Sequence, residues 1–255
     1  MIKKLIFVIS VLLLSYLTAF SAEDISKAVN DLFVQANKAY EQNNYDQAIA
    51  LYENALGRYK INNDSIYYNL GNCYYRTNKI GKAVLNYELA LKINPRDEDA
   101  RYNLNYIRTL IKDIQDTNFI DKLYLLLTAN ELVLITLFVN ICFFIFLWLF
   151  VHKKNPALKP YCLYIGIALL VLGFWAYNRV KDEKRVFAVV ITTPCEVRSG
   201  PGKEYTAGLS VQEGKKVEIL SRQEDWFAAG LHTEKYKGWL EKEKVELILS
   251  SPLKR

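Results

Sequence analysis

The chain has 255 residues, 51% of them hydrophobic and 24% charged, with a formal net charge of +6. This length accommodates more than one folded unit, and the gathering of the apolar residues into three blocks speaks against a uniform soluble domain. The basic residues are spread out and several flank apolar blocks, which points to membrane topology rather than to nucleic acid.

The N-terminus reads Met1-Ile2-Lys3-Lys4, then an apolar stretch from Leu5 to Phe20, then small residues at Ala19, Ser21 and Ala22 before Glu23-Asp24. This is the layout of a secretory signal peptide over residues 1–22. Cleavage after Ser21 fits the small-residue positions; cleavage after Ala22 and an uncleaved anchor are the alternatives. Each of them exports the segment on its C-terminal side.

Residues 26–115 show helical periodicity and an internal repeat. Ala48, Tyr52, Glu53 and Ala55 recur 35 residues on as Ala83, Tyr87, Glu88 and Ala90, and Asn37 and Tyr40 recur as Asn72 and Tyr75. Tyr68, Asn69 and Leu70 recur 34 residues on as Tyr102, Asn103 and Leu104. A period near 34 with helical apolar spacing predicts stacked helix pairs. In the second unit Tyr67, Leu70, Gly71, Tyr74, Ala83, Tyr87, Ala90 and Pro95 resemble the tetratricopeptide-repeat (TPR) consensus. Gly71 and Ala83 allow close helix approach, and Pro95 stops the second helix. The first unit is weaker, with Ala36 for the glycine and Lys60 for the proline. The third supplies a first helix alone, so the expectation is two repeats plus a capping helix.

The TPR resemblance implies a binding scaffold whose concave face is lined by the first helix of each pair. The candidates to face it are Asn37, Tyr68, Asn69, Asn72, Tyr75, Arg76, Tyr102, Asn103 and Tyr106. An asparagine there can donate to and accept from a peptide backbone, or it can merely solvate a helix surface. Asn37 and Asn69 also match the asparagines of the TPR carboxylate clamp. Phe33 and Asp99 stand where that clamp has lysines, so a true clamp is not expected.

The second apolar block, Leu132 to Val151, is uncharged and long enough to cross about 30 Å of hydrocarbon as a helix. The third, Tyr161 to Tyr177, carries its tyrosines and Trp175 near its ends, as interfacial rings would be. Transmembrane helices are expected at 131–151 and 161–178. The loop between them, residues 152–160, holds three lysines and no acid, so the positive-inside rule makes it cytoplasmic. Arg179, Lys181, Lys184 and Arg185 after the second span point mildly the other way.

From 185 to 249 short β-branched runs alternate with turns such as Ser199-Gly200-Pro201-Gly202, which suggests a small all-β barrel. Val197-Arg198-Ser199-Gly200-Pro201, Glu213-Gly214, Trp226 and Gly238-Trp239-Leu240 come in the order of bacterial SH3 domains, which they resemble. That resemblance implies binding of cell-wall peptides or proteins. Trp226 and Trp239 would line a groove or pack in the core, and Arg198 would hold a turn rather than a ligand.

The cysteines, Cys73, Cys142, Cys162 and Cys195, lie in different segments with no CxxC, and the histidines, His152 and His232, are scattered. Isolated buried thiols are expected, with neither a disulfide framework nor a metal site nor a cofactor. Cys195 and His232 make no supported catalytic pair, and the common nucleotide and hydrolase motifs do not occur, so an enzyme is not expected.

The whole order predicts a multidomain membrane protein: an all-α TPR helical repeat, two transmembrane helices and an all-β SH3-like small barrel. It resembles the E-type membrane proteins of the Bacteroides aerotolerance operon. The resemblance implies a scaffold in the bacterial inner membrane, with both soluble modules periplasmic and a role in aerotolerance or envelope stress. The partners it implies are von Willebrand A-type membrane proteins and, indirectly, a MoxR-type ATPase, with no nucleic acid. Peptidoglycan binding through the SH3-like module is the alternative.

Overall fold

The structure, a computed structural model, describes residues 24–113, 124, 127–153, 158–231 and 236–249. The expected signal peptide lies outside them, as does His232. The chain forms two compact units. One joins the chain up to Asp113 with the chain from Phe187 onward; the other is Ile114–Val186.

The first unit opens with five helices: α1 (residues 24–41), α2 (Tyr45–Tyr59), α3 (Asp64–Arg76), α4 (Ile80–Ile93) and α5 (Glu98–Leu110). They are two helix pairs and a fifth helix. The repeat is visible in the turns as well as in the packing. Asn43 and Asn78, 35 residues apart, both take a left-handed conformation, which asparagine tolerates better than most residues. The next amides along the chain bond alike, Asn44 N to Ala39 O at 2.8 Å and Lys79 N to Tyr74 O at 2.9 Å. Lys60, which replaces the proline stop, ends α2 by entering the left-handed region. Side chains cap the N-termini of α3 and α5: Asn63 accepts from Ile66 N and Asp97 from Ala100 N, both at 2.9 Å. Gly71 permits the close approach expected of it, since a Cβ there would lie 2.7 Å from the Tyr87 ring.

The same unit contains a seven-stranded sheet in the order β3-β2-β6-β5-β4-β1-β7. Its strands are β1 (Val186–Val190), β2 (Cys195–Arg198), β3 (Ala207–Val211), β4 (Lys216–Gln223), β5 (Trp226–Leu231), β6 (Tyr236–Glu241) and β7 (Val245–Leu247). The sequence suggests a closed small barrel; the sheet is open, with β3 and β7 at its edges. The physical reason is visible at one edge. Val189 of β1 and Ile248 beyond β7 are buried in the helical core, and Phe187 packs against it. Helices, rather than closure, cover that edge.

The sheet docks along α4. Lys79 makes no side-chain cap for this helix, and its first turn has no acid. Instead Glu213, from the β3–β4 turn, accepts the Gly81 amide at 2.7 Å. A Cβ on Gly81 would strike the Val190 carbonyl and come within 2.7 Å of Ile191 Cα, so glycine is required there. Further along, the buried Glu88 carboxylate pairs with Arg108 of α5 and, at 2.8 Å, with Lys216 of β4. Near the C-terminus of α4, Lys92 Nζ donates to Ile248 O at 2.9 Å.

The second unit is a pair of 25-residue helices packed on each other, α6 (Ala129–Lys153) and α7 (Lys159–Glu183). Each is about 37 Å long at 1.5 Å per residue and is apolar enough to cross a membrane. Both helices run past the expected apolar blocks. Beyond the α7 block, Asp182 accepts from the Tyr124 hydroxyl at 2.7 Å, while Arg179 Nε donates to Leu127 O at 3.3 Å and lies over the Tyr124 ring. Burial, then the bond to Asp182, pushes the Tyr124 hydroxyl up to about 12.

Candidate functional site: a tyrosine-lined groove in the helical repeat

Side chains of α1, α3 and α5, with Tyr87 of α4, line a groove of about 350 Å³. Of the residues expected there, Asn72, Tyr75, Arg76, Tyr102, Asn103 and Tyr106 line it. Tyr40, Tyr87 and Ile107 also line it, and the sequence reading does not include them. Tyr40 carries a usable signal, because it is the 35-residue counterpart of Tyr75. Tyr87 carries none, because it belongs to a second helix; its ring packs against Gly71 of α3.

Asn37, Tyr68 and Asn69 are not among the residues lining that groove. The Asn37 carbonyl oxygen accepts from the Tyr52 hydroxyl and, at 3.2 Å, from Asn69 Nδ2. One repeat on, the Asn72 oxygen accepts from the Tyr87 hydroxyl at 2.6 Å and from Asn103 Nδ2 at 3.0 Å. Asn103 also reaches the Tyr68 hydroxyl at 3.4 Å. The asparagines therefore form a ladder that joins each first helix to its own pair and to the next. An acceptor with two lone pairs is fully used by two donors, so Asn37 and Asn72 serve the stack. Burial drives the pKa of both Tyr52 and Tyr87 upward, which keeps their hydroxyls protonated donors.

The groove rim is aromatic and exposed. Tyr102 is 73% exposed and Tyr106 50%. Tyr75 and Tyr106 meet edge to face with centroids 6.2 Å apart, and their hydroxyl contact raises the Tyr75 pKa. Arg76, at the C-terminus of α3, is exposed, and its hydrogen bond with Tyr40 raises its pKa further.

In the sheet, Trp226 lies opposite Glu241 and Trp239 opposite Ala228, so the two indoles share one face as diagonal neighbours. Trp226 is buried and serves as packing, whereas Trp239 is half-buried. Arg198 holds a turn: its guanidinium donates to Lys203 O at 2.9 Å and Tyr205 O at 2.8 Å, and pairs with Glu196 at 2.6 Å. Burial pushes the Cys195 thiol up to about 11 and the Cys73 thiol up to about 12, the opposite of an activated nucleophile.

The tetratricopeptide repeat family model matches residues 33–98, which covers α2, α3 and α4 and the second half of α1. No curated protein matches the chain. The repeat region is thus a TPR-type stack, a kind of module that generally mediates protein–protein interaction.

Proposed function

We propose that this chain is a non-catalytic, membrane-anchored scaffold that holds a protein partner in the TPR groove. The carrying observation is the groove itself, where exposed tyrosine rings, amides and one cation converge on a rigid ladder. Exposed aromatic residues are the usual anchors of protein interfaces.

In this reading α6 and α7 are the spans, the lysine-bearing loop between them is cytoplasmic, and the helical stack and SH3-like sheet are periplasmic. Leu134, Phe138, Leu170 and Phe174 are each at least 66% exposed on the hairpin, an apolar surface that suits lipid. The order of modules supports membership of an aerotolerance or envelope-stress complex, with von Willebrand A-type membrane proteins as partners and a MoxR-type ATPase reached through them.

The test is photo-crosslinking in intact cells with p-benzoylphenylalanine in place of Tyr102. A discrete protein adduct that stays with carbonate-washed membranes is the expected result. Absence of any adduct from position 102, and from position 106 in a second variant, would defeat the groove reading.

A further inference from the structure

The groove has an uneven chemistry. Among its lining residues are five tyrosines, two asparagines and an isoleucine, with Arg76 as the single charge. No carboxylate among the described residues pairs with Arg76; its partners are tyrosines, Tyr40 above all. Arg108 pairs with Glu88 and Arg198 with Glu196, whereas Arg101 donates to the Pro95 carbonyl and Arg222 lies over the Phe227 ring. Arg76 is an exposed cation lining a cleft without an anion among its lining residues. Its guanidinium keeps N–H donors for a planar carboxylate.

We infer that the groove takes an extended peptide segment carrying a carboxylate side chain, which pairs with Arg76 while Tyr75, Tyr102 and Tyr106 receive the neighbouring side chains. This rests on the peptide-groove reading and specifies its ligand. The site differs from a terminal-carboxylate clamp, whose lysine positions here hold Phe33 and Asp99. Its cation lies at the opposite end of a first helix from Asp99, in the last turn of α3.

The probe is a display library of random dodecapeptides with amidated C-termini, selected on the full chain in nanodiscs. Enriched peptides should share an Asp or Glu at one position next to apolar or aromatic residues. Replacing that acid with its amide should weaken binding to the wild type about tenfold or more, as loss of a charge-assisted pair does. R76Q should bind the acid and amide peptides equally. R76Q lies on an exposed surface, and thermal unfolding alongside wild type confirms that it folds. Peptides that compete with one another and are lost in Tyr102→Ala, yet show no acidic position and no response to R76Q, would overturn this inference and leave the groove reading standing. A selection with no peptide sensitive to Tyr102→Ala would overturn both.

Discussion

Glu88 joins three elements through one carboxylate, so changing it to glutamine is an informative perturbation. The side chain keeps its shape and loses its charge. Arg108 and Lys216, 12% and 23% exposed, are then left facing each other without an anion. Breaking a buried pair costs about 3–5 kcal/mol. Lys216 can turn partly to water, so the low end applies, about 3 kcal/mol. For a body of this size that is a drop in Tm of about 6–12 °C. The assay is thermal unfolding of the full chain in nanodiscs, for E88Q, K216M and the double variant. The double variant should recover part of the loss, with a coupling energy of about 1–2 kcal/mol.

The pH dependence has a definite sign. Burial opposes the Glu88 charge, but Lys216 and Arg108 outweigh it and set the pKa below the ordinary 4.5. A depressed carboxylate contributes stability above its unfolded value and loses it as pH falls through the folded one. Wild-type Tm should therefore fall more steeply than that of E88Q below pH 4.5. An E88Q loss under about 0.5 kcal/mol, or no coupling to Lys216, would refute the view that this carboxylate fastens sheet to helix.

The other expectations are more local. Glu213→Ala should cost about 1 kcal/mol, the usual value of a cap, and should speed hydrogen exchange at the first amides of α4. Gly81→Ala should cost about 1–3 kcal/mol, because the clash is with backbone that no rotamer can relieve; denaturant titration measures it. Tyr52→Phe and Tyr87→Phe should each lose about 1 kcal/mol by the same assay, since both remove the same ladder donor. Cys73 and Cys195 should resist maleimide at about pH 8 in the folded chain, where burial disfavours the thiolate, and react in denaturant, as read by intact-mass spectrometry.

The repeat was legible because its contacts are periodic. Asn37 and Asn72, or Tyr52 and Tyr87, recur in register, and each does in the structure what its counterpart does. The groove was partly legible for the same reason, and Tyr40 is reachable from its pairing with Tyr75. Periodicity fails where a repeat meets something outside itself. Glu53 and Glu88 are equivalent in sequence, and both accept from the next first helix, Glu53 from Tyr74 and Glu88 from Arg108. Only Glu88 also meets Lys216, which lies 128 residues away. The cap that Glu213 gives α4 spans 132 residues and leaves no local trace. The strand pattern and motif order point to a barrel, whereas the sheet is open, because one edge is covered by helices from the other end of the chain.

That long-range docking bears on how the chain would meet a membrane. Glu213 holds the start of α4 and Ile248 accepts from Lys92 near its end, so the segments before Asp113 and after Phe187 fold as one body. One body lies on one side of a bilayer. With α6 and α7 as the spans proposed above, the chain between those points crosses twice, the even number that one body on one side requires. A shared side for the two segments is independent of charge counting and compatible with the lysine-bearing loop at 152–160. It also bears on the basic cluster that pointed the other way. Arg179 is engaged with Leu127 O and the Tyr124 ring, and Arg185 lies 3.8 Å from Asp182. Cations with local structural partners are accounted for without topology, whereas the loop sequence around Lys153, Lys154 and Lys159 offers no acid to pair with. The folded body thus bears on whether the two soluble segments share a side, and the choice of side in the proposed topology rests on the loop charges alone.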